Sequence, residues 1–129
     1  MNVRIADGLP FISITITFRG KSLHLRDVLL DTGSAGTILH ADRVSEIGIE
    51  PEPHDVTHVI RGIGGTEFVY VKTIDTVCVS VVVIHSFPVE IGQMDYGYAM
   101  DGIMGFNLIQ SAGLVIDARN LEIRLSVDG

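Results

Sequence analysis

Leu29-Leu30-Asp31-Thr32-Gly33-Ser34-Ala35-Gly36-Thr37 is the stretch that decides how this chain is read. Two leucines end an apolar, strand-like run, and the next residue is a carboxylate. Gly33 has no Cβ, so the backbone can turn sharply there and come close to a bound molecule. The leucines bury the base of the loop, which would set Asp31 in a low dielectric, and the Thr32 hydroxyl can bond a neighbouring chain. A lone carboxylate placed this way has limited chemical use. Two that face each other share one proton, because like charges at close range do not both ionise readily. The ionised member can then take a proton from water while the other donates to a carbonyl. The structural alternative is an ordinary turn, which Asp- and Gly-rich segments often make.

Outward from this loop the pattern has a period of two. Phe11-Ile12-Ser13-Ile14-Thr15-Ile16-Thr17-Phe18 alternates apolar and hydroxyl residues, as a half-buried strand does. Arg19-Gly20-Lys21 reads as a turn, and 22–30 as the returning strand. Residues 37–39 form a short strand after the loop. Residues 41–47 have helical spacing, with Val44 and Ile47 on one face and Gly48 where a left-handed cap belongs. Pro51 and Pro53 end regular structure there. Residues 58–60 and 66–73 flank Arg61-Gly62-Ile63-Gly64-Gly65 as a second hairpin. Further strands are expected over 76–84 and 87–91, a loop over 93–98, and a helical turn or two from Phe106 to Gly113. A hairpin of 114–117 and 121–125 closes the chain about Ala118-Arg119-Asn120. The expectation is an all-β domain with two short helices. Segments 28–49 and 98–114 echo each other in strand, Asp-and-Gly loop, short helix and terminal Gly, which suggests two pseudo-symmetric halves around one core.

Two more segments carry a resemblance together with the Asp31 loop: His58-Val59-Ile60-Arg61-Gly62-Ile63-Gly64-Gly65-Thr66 and Asp101-Gly102-Ile103-Met104-Gly105-Phe106-Asn107-Leu108. In that order the three resemble the active-site loop, the glycine-rich flap and the apolar-apolar-Gly segment of retropepsin-like aspartic proteases, of the bacterial or cellular type rather than the strictly retroviral one. The likeness spans roughly residues 26–125. It implies a closed, β-barrel-like domain with a hairpin flap over 1–129, acting as a homodimer on peptide or protein substrates without cofactor or metal. Asp31 would be the catalytic aspartate, one per chain. Thr32 would lock the two active-site loops together, and Gly33 would present its carbonyl to the substrate backbone. Ile63 would sit at the flap tip, its N–H reaching substrate through a water. Ser34, Ala35, Gly62, Gly64, Gly65, Ile103 and Met104 would complete the substrate-binding set. Leu30, Val59, Ile63, Ile103 and Met104 make the expected subsites apolar.

A count of motifs agrees with pairing. Only one Asp-Thr-Gly is present; Asp75-Thr76 runs on to Val77 and Asp117 to Ala118, so a two-carboxylate mechanism needs two chains. The chain also departs from the retroviral pattern. That family's Asp two residues after the motif glycine, and the Arg it pairs with, are replaced by Ala35 and Phe106. The closing hairpin differs as well, so the dimer sheet built by retroviral termini is not expected. The Ser34 hydroxyl is expected to donate to the Asp31 carboxylate.

The remaining features exclude more than they assign. The chain has 129 residues, 47% of them hydrophobic and 19% charged, enough for a sizeable core in one domain. A net charge of −7 without a Lys/Arg cluster gives a nucleic-acid partner no support. No apolar run is long enough to span a bilayer and no secretory leader is evident, so the expectation is a cytoplasmic protein or a soluble domain of a longer one. Cys78, the one cysteine, is expected to be buried and inert. His54 and His58 have metal-like spacing but follow two prolines and lack a third ligand, so solvated histidines are favoured. Asp101 reads as a structural carboxylate rather than a second acid, and Met94, Met100 and Met104 as core or pocket lining. Against the peptidase stand a non-catalytic peptide-binding or assembly module of the same fold, and a domain that matures its own precursor. The intact Asp31-Thr32-Gly33 argues against the first of these.

Overall fold

The alternation in the sequence becomes strands whose apolar side chains meet in one interior. A computed structural model describes residues 1–62, 65–96 and 99–127, with the backbone but not the side chains of 61, 62 and 65. In chain order the elements are β1 (Arg4–Ala6), β2 (Leu9–Phe18), β3 (Lys21–Leu30), β4 (Ile38–His40), α1 (Ala41–Val44), a 3-10 turn (Ser45–Ile47), β5 (Thr57–Gly62), β6 (Gly65–Val79), β7 (Val82–Gly92), β8 (Gly102–Met104), α2 (Phe106–Ala112), β9 (Leu114–Asp117) and β10 (Glu122–Leu125). The main sheet runs β1-β2-β3-β8-β4-β7-β6-β5, and β2 also pairs with β6, so six strands join into a ring. The all-β expectation holds.

Inside the ring lies the main core. Ile12, Ile14, Ile16, Leu25, Leu39, Ile74 and Ile91 are essentially inaccessible, joined by Met104 and Leu108. Each such side chain contributes about 1.5–3 kcal/mol of burial. A smaller apolar cluster forms from Phe11, Ile38, Val69, Met94 and Met100, with Leu29, Ile60, Tyr96 and Ile103 packed on it. The burial expected of Met94, Met100 and Met104 is therefore observed.

Several local expectations are met and two are corrected. Gly48 and Gly113 cap their helical segments with φ of 82° and 64°. The closing hairpin pairs Leu125 with Leu114 and Glu122 with Asp117. The N-terminus joins it within the same chain: the Val3 N–H donates to Leu121 O at 2.7 Å and the Ile123 N–H to Met1 O at 2.9 Å. The strand read over 76–84 is in fact two strands. β6 ends at Val79 and β7 starts at Val82, paired as Val79↔Val82. The reversal lies at Ser80 (φ 56°) and exposed Val81, where no Gly, Pro or Asn interrupts the apolar run. Cys78, expected to be buried, is half-buried.

Lys72 is a buried cation at 6% exposure, and Glu52 and Asp55 each bond its ammonium at 2.7 Å. This pins the proline-bearing segment between α1 and β5 onto β6. No helix among the described residues is long and apolar enough to cross a membrane.

Candidate active site

The Asp31 loop leaves the end of β3 and returns as β4, and β8 is threaded between those two strands. β3 pairs with β8 in parallel, Leu29↔Ile103 and Leu30↔Met104, while β4 pairs with β8 antiparallel, Ile38↔Ile103. The Asp31 N–H donates to Met104 O at 3.0 Å, which fixes the loop at its base. One turn on, the Gly33 N–H donates to Asp31 Oδ1 at 2.9 Å and the Ser34 N–H to Asp31 O at 3.2 Å. Asp31 is thus half-buried, with one carboxylate oxygen already held by the backbone of its own turn. Thr32 and Gly33 are exposed beside it.

The far side of the loop is tied to the start of α2. The Phe106 N–H donates to Ser34 O at 2.6 Å and the Asn107 N–H to Ala35 O at 3.3 Å. Buried Thr37 donates its hydroxyl to Asn107 Oδ1 at 2.8 Å and accepts the Gly105 N–H at 3.1 Å. Gly105 permits this crossing. A Cβ there would overlap the Gly36 carbonyl oxygen, and would lie 2.5 Å from its carbon and 2.8 Å from Ser34 O. Ala35 and Phe106, which stand where the retroviral pattern has an Asp and an Arg, are both exposed, and the two segments are joined here by the hydrogen bonds above rather than by that ion pair.

Three expectations about side chains are corrected. The Ser34 hydroxyl does not reach Asp31; it donates to Gly36 O at 2.8 Å, closing the loop on itself. Met104 cannot line a subsite, because alternation turns it inward to full burial while its neighbour Ile103 faces the second apolar cluster. Val59 pairs with Phe68, and the two are 49% and 77% exposed, which puts them on the outer face of the β5–β6 hairpin. Ile60 and Val69 carry the inner face instead. Leu30 is buried at the base of the loop, as expected. Gly62 and Gly65 pair as the ends of β5 and β6, while Ile63 and Gly64 lie outside the described residues.

Asp101 has the structural role expected of it. Its Oδ2 accepts the Arg26 and Asp27 N–H groups at 3.0 and 3.1 Å, and Oδ1 binds Arg43 at 2.8 Å. The Arg43 guanidinium is held above its ordinary pKa by bonds to Glu46 and Asp101, against the cost of partial burial. Sequence reasoning missed the contribution of Phe11, Ile38, Ile60 and Val69 to the apolar wall, and of Glu67 and Tyr96 beside it. The first four are aliphatic or aromatic residues on recognised strands, so their alternation could have found them. Nothing local marks the other two, which meet only through the fold.

The comparisons with known proteins agree with this geometry. Residues 14–108 match the aspartyl protease family. That is most of the chain, and the protein belongs to this family. A retropepsin-like aspartic protease from Rickettsia conorii superposes with a TM-score of 0.69 at 18% identity, covering 95% of each chain. The EIAV protease, solved with the inhibitor HBY-793, superposes with a TM-score of 0.61 at 18% identity, over 85% of this chain and 93% of its own. At these identities the structures establish the retropepsin fold. No curated protein matches the chain significantly.

Proposed function

We propose that this chain is an aspartic endopeptidase whose catalytic pair is Asp31 and its counterpart in a second copy, with residues 1–129 acting as one domain. The observation that carries the reading is the loop itself. A half-buried carboxylate at the crossing of the Asp31 loop with β8 is held by the Gly33 N–H, and exposed Thr32 stands next to it. A structural turn makes the same Gly33-to-Asp31 bond, so the reading rests on that carboxylate standing in the Asp-Thr-Gly order at the crossing with β8.

One copy supplies one such acid, so a second copy must bring the other. Thr32 also borders a cleft of about 350 Å³ whose walls include Val3, Ile5, Pro10, Leu30 and Leu121. An apolar hollow adjoining the catalytic loop is the face that pairing of two Asp31 loops would cover. The shared proton then sets the chemistry. The ionised aspartate takes a proton from a water, whose oxygen attacks the peptide carbonyl carbon, while the protonated partner donates to the carbonyl oxygen. Collapse of the tetrahedral species breaks the C–N bond, and the amine leaves with a proton returned through the pair. Gly33 presents its carbonyl to the substrate backbone, and Ser34, Ala35, Gly62, Ile63, Gly64, Gly65 and Ile103 border the bound peptide. The substrate lies extended between the β5–β6 hairpin and the floor. Leu29, Ile60 and Ile103 favour apolar side chains near the cleaved bond.

The test is cleavage of a diverse peptide mixture by the native chain and by Asp31→Asn, from about pH 3 to pH 7 and at high protein concentration. Native cleavage that disappears in the variant supports the reading. Absence of native cleavage in a chain shown to be dimeric would overturn it.

A further inference from the structure

Glu67 is the second residue past the hairpin end at Gly65, on the inner face of β6 opposite Ile60. Its two carboxylate oxygens are both engaged, and by one short segment. Oε1 accepts the Met94 N–H at 2.8 Å, and Oε2 accepts the Tyr96 hydroxyl at 2.7 Å. Three neighbouring residues are shaped around that carboxylate. Gly92 leaves it room: a Cβ there would collide with Glu67 Oε1 and lie 2.9 Å from Val69 Cγ1. Met94 adopts a left-handed φ of 54°, costly for a residue with a long side chain, and in that conformation directs its N–H to Glu67. Tyr96 places a half-buried phenol against the other oxygen. Its ionisation is pushed up by burial and by the bond to Glu67.

The same segment forms part of the apolar wall. Met94 is 2% exposed and packs with Phe11, Ile38, Val69 and Met100, and Tyr96 leans on this cluster together with Leu29 and Ile103. Leu29 and Ile103 are register partners in the strand pair that anchors Asp31. Glu67 therefore joins the middle of the β5–β6 hairpin to the segment that walls the floor beside the Asp31 loop.

We propose that Glu67 is a positioning residue for substrate binding, its carboxylate setting the place of the 93–96 segment against the middle of the β5–β6 hairpin and so the shape of the apolar subsite beside Asp31. The proposal rests on the peptidase reading above. Glu67 touches no reacting atom, so its loss acts on how peptide is held rather than on the chemical step.

Two measurements test it. In steady-state cleavage of a peptide with apolar residues at the scissile bond, Glu67→Ala should raise KM at least about fivefold and leave kcat within about twofold. Glu67→Gln retains an acceptor for Met94 and should recover most of the loss. Tyr96→Phe should raise KM in the native background and have little effect in Glu67→Ala, because both changes remove one contact. Without any substrate, amide exchange should slow at Met94 in the native chain and accelerate at least about tenfold in Glu67→Ala, while Ile74 in the main core stays protected and reports that the variant is folded. Equal Met94 exchange in the two proteins overturns the proposal, as does an unchanged KM or a loss confined to kcat. A native chain that cleaves no peptide would sink the peptidase reading, and the exchange experiment would still decide the contact.

Discussion

Gly105→Ala should cripple the loop crossing, and the structure gives the size of the effect. The added methyl would overlap the Gly36 carbonyl oxygen and sit 2.5 Å from its carbon and 2.8 Å from Ser34 O. Both obstacles are backbone, so relief requires the Asp31 loop and the start of α2 to separate by about 1 Å, since real Cβ atoms essentially never come within 3.0 Å of another heavy atom. Three hydrogen bonds span that gap: Phe106 N–H to Ser34 O, Asn107 N–H to Ala35 O, and Gly105 N–H to Thr37 Oγ1. Loosening them costs about 1 kcal/mol each, and overpacking adds about 1–3 kcal/mol. A loss of about 4–6 kcal/mol lowers Tm by about 15–25 °C for a chain of this size. The shift also displaces Asp31, and a misplacement of about 1 Å costs on the order of 100-fold in rate. Thermal circular dichroism and kcat/KM for one peptide measure the two effects. Gly36→Ala is the control, because its Cβ would meet only the Glu90 side chain at 3.7 Å, and it should cost less than about 1 kcal/mol. If Gly105→Ala melts within about 3 °C of the native chain and keeps its activity, the argument that this glycine sets the crossing is wrong.

Ser34→Ala should leave the acidic limb of the pH–rate profile where it is, because the hydroxyl bonds Gly36 O and not Asp31; a displaced limb would restore the role expected from the sequence. Its cost in stability should be about 1 kcal/mol, read by denaturant unfolding. Thr32→Ala should weaken self-association about tenfold in sedimentation equilibrium without lowering the monomer's Tm, since its side chain is exposed in the single chain. Acid stability has a predicted sign. Glu52 and Asp55 are held below their ordinary pKa values of 4.5 and 3.8, chiefly by bonds to Lys72. A depressed carboxylate stabilises the fold above its unfolded-state pKa and loses that contribution as pH falls through the folded value. Unfolding midpoints should therefore decline below those ordinary values, and Lys72→Met should flatten the decline; an equally steep decline in the variant would remove this cluster from the acid response.

Much of the fold and the centre of the candidate site were legible in the sequence, for identifiable reasons. Period-two alternation from Phe11 to Phe18 reports a strand with one buried face, and β2 is that strand. Gly48 and Gly113 mark helix ends because few other residues accept their positive φ. The Asp31-Thr32-Gly33 loop was readable because the motif is contiguous, so placing it between β3 and β4 needs no contact distant in sequence. What escaped depends on contacts distant in sequence or on turns without signals. Ser80 and Val81 reverse the chain inside an apolar run, and Leu9 and Arg4 begin strands that only pairing defines. The inward and outward faces of the β5–β6 hairpin were misjudged at Val59, because a shift of one residue exchanges them. Glu67 and Tyr96 are 29 residues apart and meet through the topology alone. The same holds for the Ser34 hydroxyl, whose nearest acceptor is set by how the loop folds back toward Gly36.

The most direct test of the central claim mixes native chains with Asp31→Asn chains at fixed total concentration and lets them exchange partners. If catalysis needs one Asp31 from each of two copies, only native–native pairs cut, and activity follows the square of the native fraction. An equal mixture then retains about one quarter of the activity of an all-native sample. Activity that instead falls in direct proportion to the native fraction, to about one half in the same mixture, would mean that each chain works alone, and would contradict the account.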